Sequence, residues 1–225
     1  MNVKPLLVVN VILIAAMSAL TLWAWPMIPE GAQLPVHWNL EGVADQMGSK
    51  EEALLTLPIL TVALTLMFLV LPFFDPRRSN LQKSVKLWNA TAIGTALLIA
   101  TLHTFLVLSA LGHDLRVTDF VVPGIAGLFV LLGNYLGKSH PNWFAGVRTP
   151  WTLSSDYAWE KTHRWAGRLF VLTGFGTLAA WLTTDERTTI LVMIVAITIT
   201  ALASVALSYF FWRNDPERAS DNSGA

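Results

Sequence analysis

The chain contains no cysteine and few charged residues. Of its 225 residues, only 13% are Asp, Glu, Lys or Arg, against about 25% in ordinary soluble domains. The absence of cysteine excludes disulfides, thiolate metal sites and cysteine nucleophiles. The 15 basic and 15 acidic residues give a net charge of zero, so the charge balance gives no support for nucleic-acid binding.

Sequence motifs for catalysis and metal binding are also missing. The five histidines do not stand in H-E-x-x-H or comparable spacing. The chain has neither a G-x-S-x-G motif nor a phosphate-binding glycine loop with its lysine. A zinc ion shared by His37, Asp45 and His113 remains as the one metal alternative. We therefore predict that the protein is not an enzyme and uses no cofactor or metal.

Long apolar runs fill most of the chain. Hydrophobic residues make up 54% of it, and the mean hydropathy is +0.53. A membrane-spanning helix needs about 20 mostly apolar residues, and six segments qualify: 6–25, 53–74, 88–111, 118–137, 166–183 and 189–212. We predict an all-α integral membrane bundle of six transmembrane helices over residues 1–212, followed by a disordered polar tail over 213–225.

Two of these runs have features of their own. The fourth is short and rich in glycine, so we expect it to pack closely against its neighbours through small residues. The third contains His103, and an ionisable residue inside a membrane is a functional candidate by default. A neutral histidine bonded to a neighbouring helix is the commoner outcome, and we expect it here.

The basic residues between the spans predict the orientation of the chain. Lysine and arginine concentrate in cytoplasmic loops. The second and fourth connections carry most of them: Arg77, Arg78, Lys83, Lys86, Lys138, Arg148, Lys161 and Arg164. Each of the other three connections carries one: Lys50, Arg116 or Arg187. Both termini and the motif loop 138–165 are therefore predicted to be cytoplasmic, and the motif loop 26–52 external.

The fourth connection contains the stretch HPNWFAGVRTPWTL, which is richer in rings and prolines than a plain connector needs. Pro141 and Pro150 favour extended conformations in the residues before them. Gly146 permits a turn with a backbone conformation that other residues do not readily adopt. The run Leu153-Ser154-Ser155-Asp156 is typical of a helix start, with a serine cap and an acidic first turn. The helix that follows would run directly into span five, with Trp159 and His163 on one face.

Three interpretations of this loop remain open. Its rings could form an aromatic belt, with Arg148 and Lys161 at the lipid headgroups. It could instead be a structural cap of the bundle, in which a buried Arg148 bonds loop carbonyls or Asp156. Direct binding of a partner is the third interpretation.

The first connection reads LPVHWNLEGVADQMGSK from Leu34 to Lys50. Asn and Asp side chains near Gly42 predict a tight turn. Trp38 and His37 could form a recognition surface for a peptide, because rings supply contact area at low entropic cost. A packed lid over the outer mouth of the bundle is the alternative.

The two loops together resemble the SdpI-type bacterial membrane proteins. The inner stretch is similar to the SdpI signature at these signature residues: Gly133, Asn134, Lys138, Pro141, Asn142, Phe144, Gly146, Arg148, Thr149, Pro150, Trp151, Thr152, Trp159, Thr162, His163 and Gly167. The outer stretch is similar to the P-x-H-W-N-x-x-G segment that often precedes this signature, at Pro35, His37, Trp38, Asn39, Gly42, Asp45 and Lys50.

The resemblance implies a multi-pass protein of the bacterial inner membrane that confers immunity against a secreted, membrane-active peptide toxin. It also implies, for some members, a cytoplasmic transcriptional repressor as a partner. His37, Trp38, Asn39, Gly42 and Asp45 are then the candidate toxin-binding residues. A small secondary transporter is the alternative, because each half of three spans carries its marked loop after its first helix, as in an inverted repeat.

Overall fold

The computed structural model describes residues 1–218, most of which are helical. Six helices are long and apolar enough to cross a membrane, which confirms the predicted all-α bundle; α3 and α6 are short helices in the connections. The α-helices are α1 Lys4–Ala24, α2 Lys50–Val70, α3 Arg78–Lys83, α4 Val85–Ala110, α5 Thr118–Leu136, α6 Pro150–Ser154, α7 Asp156–Thr183 and α8 Glu186–Arg213.

Helix α7 begins well before the predicted fifth span. Ser155 caps it, because its Oγ accepts a hydrogen bond from Ala158 N at 2.9 Å. The predicted serine cap and the continuous helix are both confirmed. With 28 residues, α7 is about 42 Å long and exceeds a hydrocarbon core of about 30 Å. Its first turns therefore have the length to project beyond the hydrocarbon and carry the end of the fourth connection.

The spans form two groups that meet along α4 and α5. Helices α1, α2 and α4 pack together, α7 packs between α5 and α8, and α4 packs on α5. The predicted close packing of the glycine-rich span is confirmed. A Cβ built on Gly133 would lie 2.6 Å from Gly167 O, and one built on Gly174 would lie 2.6 Å from Ala126 O. These glycines let the α5 and α7 backbones touch.

Buried polar side chains join the helices of the first group. Asn10 Nδ2 donates to Thr65 Oγ1 at 2.9 Å, which links α1 to α2. His103 is fully buried, and its Nε2 lies 3.0 Å from Thr21 Oγ1 and 3.2 Å from Met17 O. The expected bonding of His103 to a neighbouring helix is confirmed, and α4 is thereby tied to α1.

The first connection contains more structure than the sequence predicted. Residues 34–48, named the hairpin below, form two antiparallel strands, β1 Leu34–Trp38 and β2 Ala44–Gly48. The register pairs Leu34 with Gly48 and Trp38 with Ala44, with an irregularity on either side of His37. A tight turn was expected here; the turn is present, but the strands that it joins were missed.

The described part of the predicted tail contacts the start of α7. Arg213 ends α8, and Asp215 is buried and accepts a hydrogen bond from Ser155 Oγ at 2.5 Å. These residues return the chain to the start of α7. The remainder of the predicted tail, residues 219–225, lies outside the described residues.

Candidate functional site

The turn of the hairpin is held by its own side chains. Asn39 Oδ1 accepts hydrogen bonds from the backbone amides of Glu41 and Val43, both at 3.0 Å. Gly42 follows with a φ of 72°, in the left-handed region that glycine adopts without strain. A Cβ on Gly42 would overlap the carboxylate of Glu186, so the hairpin tip lies directly against the first turn of α8.

His37 and Asp45 form a pair across the two strands. His37 Nδ1 lies 2.6 Å from Asp45 Oδ1, and both side chains are substantially exposed. His113 does not join them: residues 1–218 contain no group of three His, Asp or Glu side chains placed to hold a metal ion. The geometry therefore supports a cross-strand pair that stabilises the hairpin rather than the zinc alternative.

Trp38 connects the hairpin to the bundle. It is half-buried, and its ring meets Phe105 of α4 edge-on at 5.1 Å between centroids. Phe105 in turn lies 5.2 Å from the ring of Phe120 in α5. The edge-to-face pair of Trp38 and Phe105 adds to the free energy of area burial. Trp38 thus packs against the bundle.

An apolar pocket of about 380 Å³ opens beside Trp38. The hairpin forms one wall, with His37 and Asn39 at the polar part of the lining. The other walls come from α2, α4, α5 and α8, so the pocket spans both groups of helices. Its helix residues are Leu57, Leu102, Phe105, Leu106, Thr118, Val121, Val122, Ile190 and Met193. We name it the hairpin pocket.

At the other end of the bundle, residues 138–155 form the signature loop, and Asn142 organises it. Its side chain is fully buried. Asn142 Oδ1 accepts from the amides of Phe144 and Ala145 at 2.9 and 2.7 Å, and its Nδ2 donates to His140 O and Ala145 O. One amide side chain therefore satisfies four backbone groups of the loop.

Two rings on α7 hold the next part of the loop. Trp159 and His163 are buried and stacked at 4.0 Å, on one face as predicted. The amide of Val147 donates to His163 Nε2 at 2.9 Å, and Trp159 Nε1 donates to Ser139 O at 3.2 Å. Gly146 has a φ of 114° and no room for a Cβ beside His163. The predicted turn at this glycine is therefore confirmed.

The end of the signature loop is fastened to α8. Thr149 caps α6, and Pro150 occupies the first turn of that helix. Thr149 Oγ1 also donates to Ser208 Oγ at 2.9 Å. The ring of Trp151 meets that of Tyr209 edge-on at 5.1 Å. These contacts join the loop to the last span across more than fifty residues of sequence.

The second connection braces the signature loop from the other side. Asp75 is buried, and its carboxylate accepts from the amides of Arg77 and Trp143 at 2.7 and 3.2 Å. Asn80 Nδ2 donates to Pro141 O at 3.1 Å. In the sequence, this connection is distinguished by its positive charge. Asp75, an acidic residue among several basic ones, was the available sequence signal for a structural role.

Arg148 is not the buried cap that was considered. It is exposed, although its Nη1 does donate to a loop carbonyl, that of Trp143, at 2.9 Å. Asp156 instead forms a 4.0 Å ion pair with Nη1 of Arg77, and Nη2 of Arg77 donates to Leu153 O at 3.1 Å. Within the loop, the buried polar side chain that bonds the backbone of the turn is Asn142.

A second apolar cavity, of about 420 Å³, lies under the signature loop. Phe144 and Arg148 line it from the loop, and Trp88 and Leu132 line it from α4 and α5. The signature residue Asn134 lies apart from the signature loop, as do Gly133 and Gly167. Asn134 is exposed on α5 and faces the groove between α5 and α7.

Comparison with known proteins gives matches in both marked regions of the chain. The profile of the SdpI/YfhL protein family matches residues 138–208, from the signature loop into α8. A domain of unknown function (DUF1648) matches residues 12–62, which contain the hairpin. The immunity protein SdpI of Bacillus subtilis (strain 168) is 23% identical over 208 residues, 92% of this chain and 95% of that protein. No solved structure matches the chain. The chain is thus similar to SdpI-type membrane proteins, and its described part has six helices able to span a membrane.

Proposed function

We propose that this protein is a non-enzymatic immunity factor that protects a bacterial cell by binding a secreted, membrane-active peptide in the hairpin pocket. The single observation that carries the proposal is the apolar pocket of about 380 Å³ walled by Trp38. The similarity to an immunity protein along nearly the whole chain supports the same role. Protection by binding needs a complementary surface and no chemical step.

The lining of the hairpin pocket suits an apolar peptide segment. Ligand sites are typically about 300–1,000 Å³ and mostly apolar, with a few polar groups that fix orientation. Trp38 supplies the kind of large ring that anchors peptides. His37, Asn39 and Thr118 lie in the lining, where they can bond the peptide backbone. The pocket also touches both helix groups, so an occupant would be held by the whole bundle.

The expected orientation brings the pocket to the side from which a secreted peptide arrives. The basic residues of the second and fourth connections favour a cytoplasmic signature loop and an external hairpin. A membrane-active peptide that partitions into the outer membrane surface would then meet the hairpin pocket before it reaches the hydrocarbon centre. The signature loop would hold the opposite end of the bundle closed.

The test is survival of cells under challenge with the peptide toxin, with protein levels measured by immunoblot. Trp38→Ala removes the anchor and should abolish protection. Val117→Phe is a second variant: Val117, the residue before α5, lines the pocket, and a larger ring there fills it without removing the Trp38 contact. Trp143→Ala is the matched control, because Trp143 is an exposed ring of the signature loop. Full protection by well-expressed Trp38→Ala and Val117→Phe proteins would contradict the proposal.

A secondary transporter is the second candidate, favoured by the placement of the two cavities. They open at opposite ends of the α4–α5 interface, and the hairpin and the signature loop each follow the first helix of a three-span half. Between the cavities the packing is tight: a Cβ on Gly94 would lie 2.7 Å from Leu128. Solute flux in proteoliposomes without protection from toxin would favour this candidate over immunity.

A further inference from the structure

We propose that the groove between α5 and α7 at the signature-loop end binds the headgroup of an anionic phospholipid. The groove has a volume of about 590 Å³. Its floor is the contact of Gly133 with Gly167, where the two backbones touch. Residues of both helices line the groove around this contact. The inference is independent of the immunity proposal.

Three cations line the groove: Lys138, Arg164 and Arg168. Within residues 1–218, the carboxylate that pairs with one of them is Glu160, 2.6 Å from Arg164. The other two lie over aromatic rings. Lys138 Nζ is 5.9 Å from the centre of the Tyr135 ring, and the Arg168 guanidinium is 5.0 Å from that of Trp165. The groove therefore keeps a net positive charge, which attracts a phosphate diester.

The position of the cations corresponds to the membrane surface. Helix α5 has 19 residues and is about 28 Å long, close to the thickness of the hydrocarbon core. Lys138, two residues beyond its end, is then at headgroup level. Trp165 is half-exposed beside Arg168, and tryptophan is enriched at this level. Basic pockets between spans at a membrane surface are typical sites for anionic lipid headgroups.

The deeper part of the groove distinguishes a lipid from a soluble phosphate. Past Arg168 the lining becomes apolar, with Val171 and Leu172 on α7. Leu172 is 67% exposed, so it offers a free apolar surface in the direction of the hydrocarbon. A phospholipid matches both parts, with its phosphate at the cations and an acyl chain along Leu172. A soluble phosphate would use only the first part.

Native mass spectrometry of the full-length protein in detergent tests the inference, with phosphatidylglycerol and phosphatidylcholine added in competition. The wild-type protein should retain phosphatidylglycerol in preference. The double variant Lys138→Gln/Arg168→Gln should bind it about thirtyfold more weakly, the effect of removing two interfacial cations. Lys161→Gln is the matched control, since Lys161 is a cation of α7 that contacts Tyr157 outside the groove, and it should bind like wild type.

Each of four results would overturn the inference. Equal retention of the two lipids would show that the headgroup charge is not recognised. Unchanged binding by the double variant, or an equal loss in Lys161→Gln, would show that the groove is not the site. Displacement of the bound lipid by millimolar inorganic phosphate would identify a soluble anion site instead. Melting temperatures should agree among all three proteins, because the substituted groove cations are exposed.

Discussion

The backbone amide of Val147 donates a 2.9 Å hydrogen bond to Nε2 of His163. Because Nε2 accepts, the proton of the neutral ring is on Nδ1, which lies 2.7 Å from Trp159 O. The imidazole therefore joins the signature loop to one turn of α7, and its tautomer follows from its two partners. Gly146 lies against the same ring, so the turn of the loop and the orientation of the histidine depend on each other.

Gly146→Ala should destabilise the protein strongly. The new Cβ would overlap His163 Nε2 at a φ of 114°, which adds overpacking of about 1–3 kcal/mol to backbone strain of about 1–2 kcal/mol. The measurement is the melting temperature in detergent. Gly176→Ala is the control, because its Cβ would meet nothing within 4 Å in the interior of α7. It should be neutral or slightly stabilising. Similar losses in both variants would contradict this account of the turn.

Asp75→Ala should cost more stability than Arg148→Ala. Removing the buried Asp75 carboxylate leaves the amides of Arg77 and Trp143 without their acceptor, at about 1–3 kcal/mol for an unsatisfied buried donor. Arg148 is exposed, and an exposed charge contributes about 0–1 kcal/mol. Chemical unfolding in detergent compares the two. An Arg148→Ala protein less stable than Asp75→Ala would restore the arginine as the main polar cap.

Gly42→Ala should affect protection as well as stability. Its Cβ would displace the Glu186 carboxylate, which accepts a 2.8 Å hydrogen bond from Thr118 Oγ1. Loss of that bond costs about 0.5–1.5 kcal/mol and lifts the hairpin tip from α8, beside the hairpin pocket. Gly31→Ala is the control. It introduces the same kind of backbone strain, at a φ of 77°, but its Cβ would meet nothing within 4 Å. Equal protection and equal melting temperatures in the two variants would remove the tip contact from the mechanism.

The cysteine-free chain allows a direct test of the expected orientation. Met47→Cys places a thiol on the exposed face of the hairpin, and His140→Cys places one on the signature loop. A membrane-impermeant maleimide added to intact cells should label the first variant and should label the second only after permeabilisation. The wild-type protein, which has no thiol, is the blank. The reverse pattern would invert the topology and exclude the hairpin pocket as the external site.

Local features of the loops were predictable where they depend on neighbouring residues. The serine cap at Ser155, the glycine turn at Gly146 and the shared face of Trp159 and His163 each involve residues within a few positions of one another. The hairpin was missed although its strands are also close in sequence. Pro35 and the register irregularity beside His37 interrupt the regular alternation that identifies a strand.

The sequence by itself determined the number of spans, because about 20 apolar residues in a row have one stable arrangement in lipid, a helix that satisfies its own backbone. Only the tertiary structure decided which side chains close the two ends of the bundle. The Asp75 carboxylate accepts a hydrogen bond from the amide of Trp143, 68 positions along the chain. The ring of Trp38 contacts that of Phe105 in α4. Such contacts depend on how helices of similar hydrophobicity pack against one another. That packing is set by close glycine contacts and buried polar bonds between distant segments, which hydrophobic pattern alone does not encode.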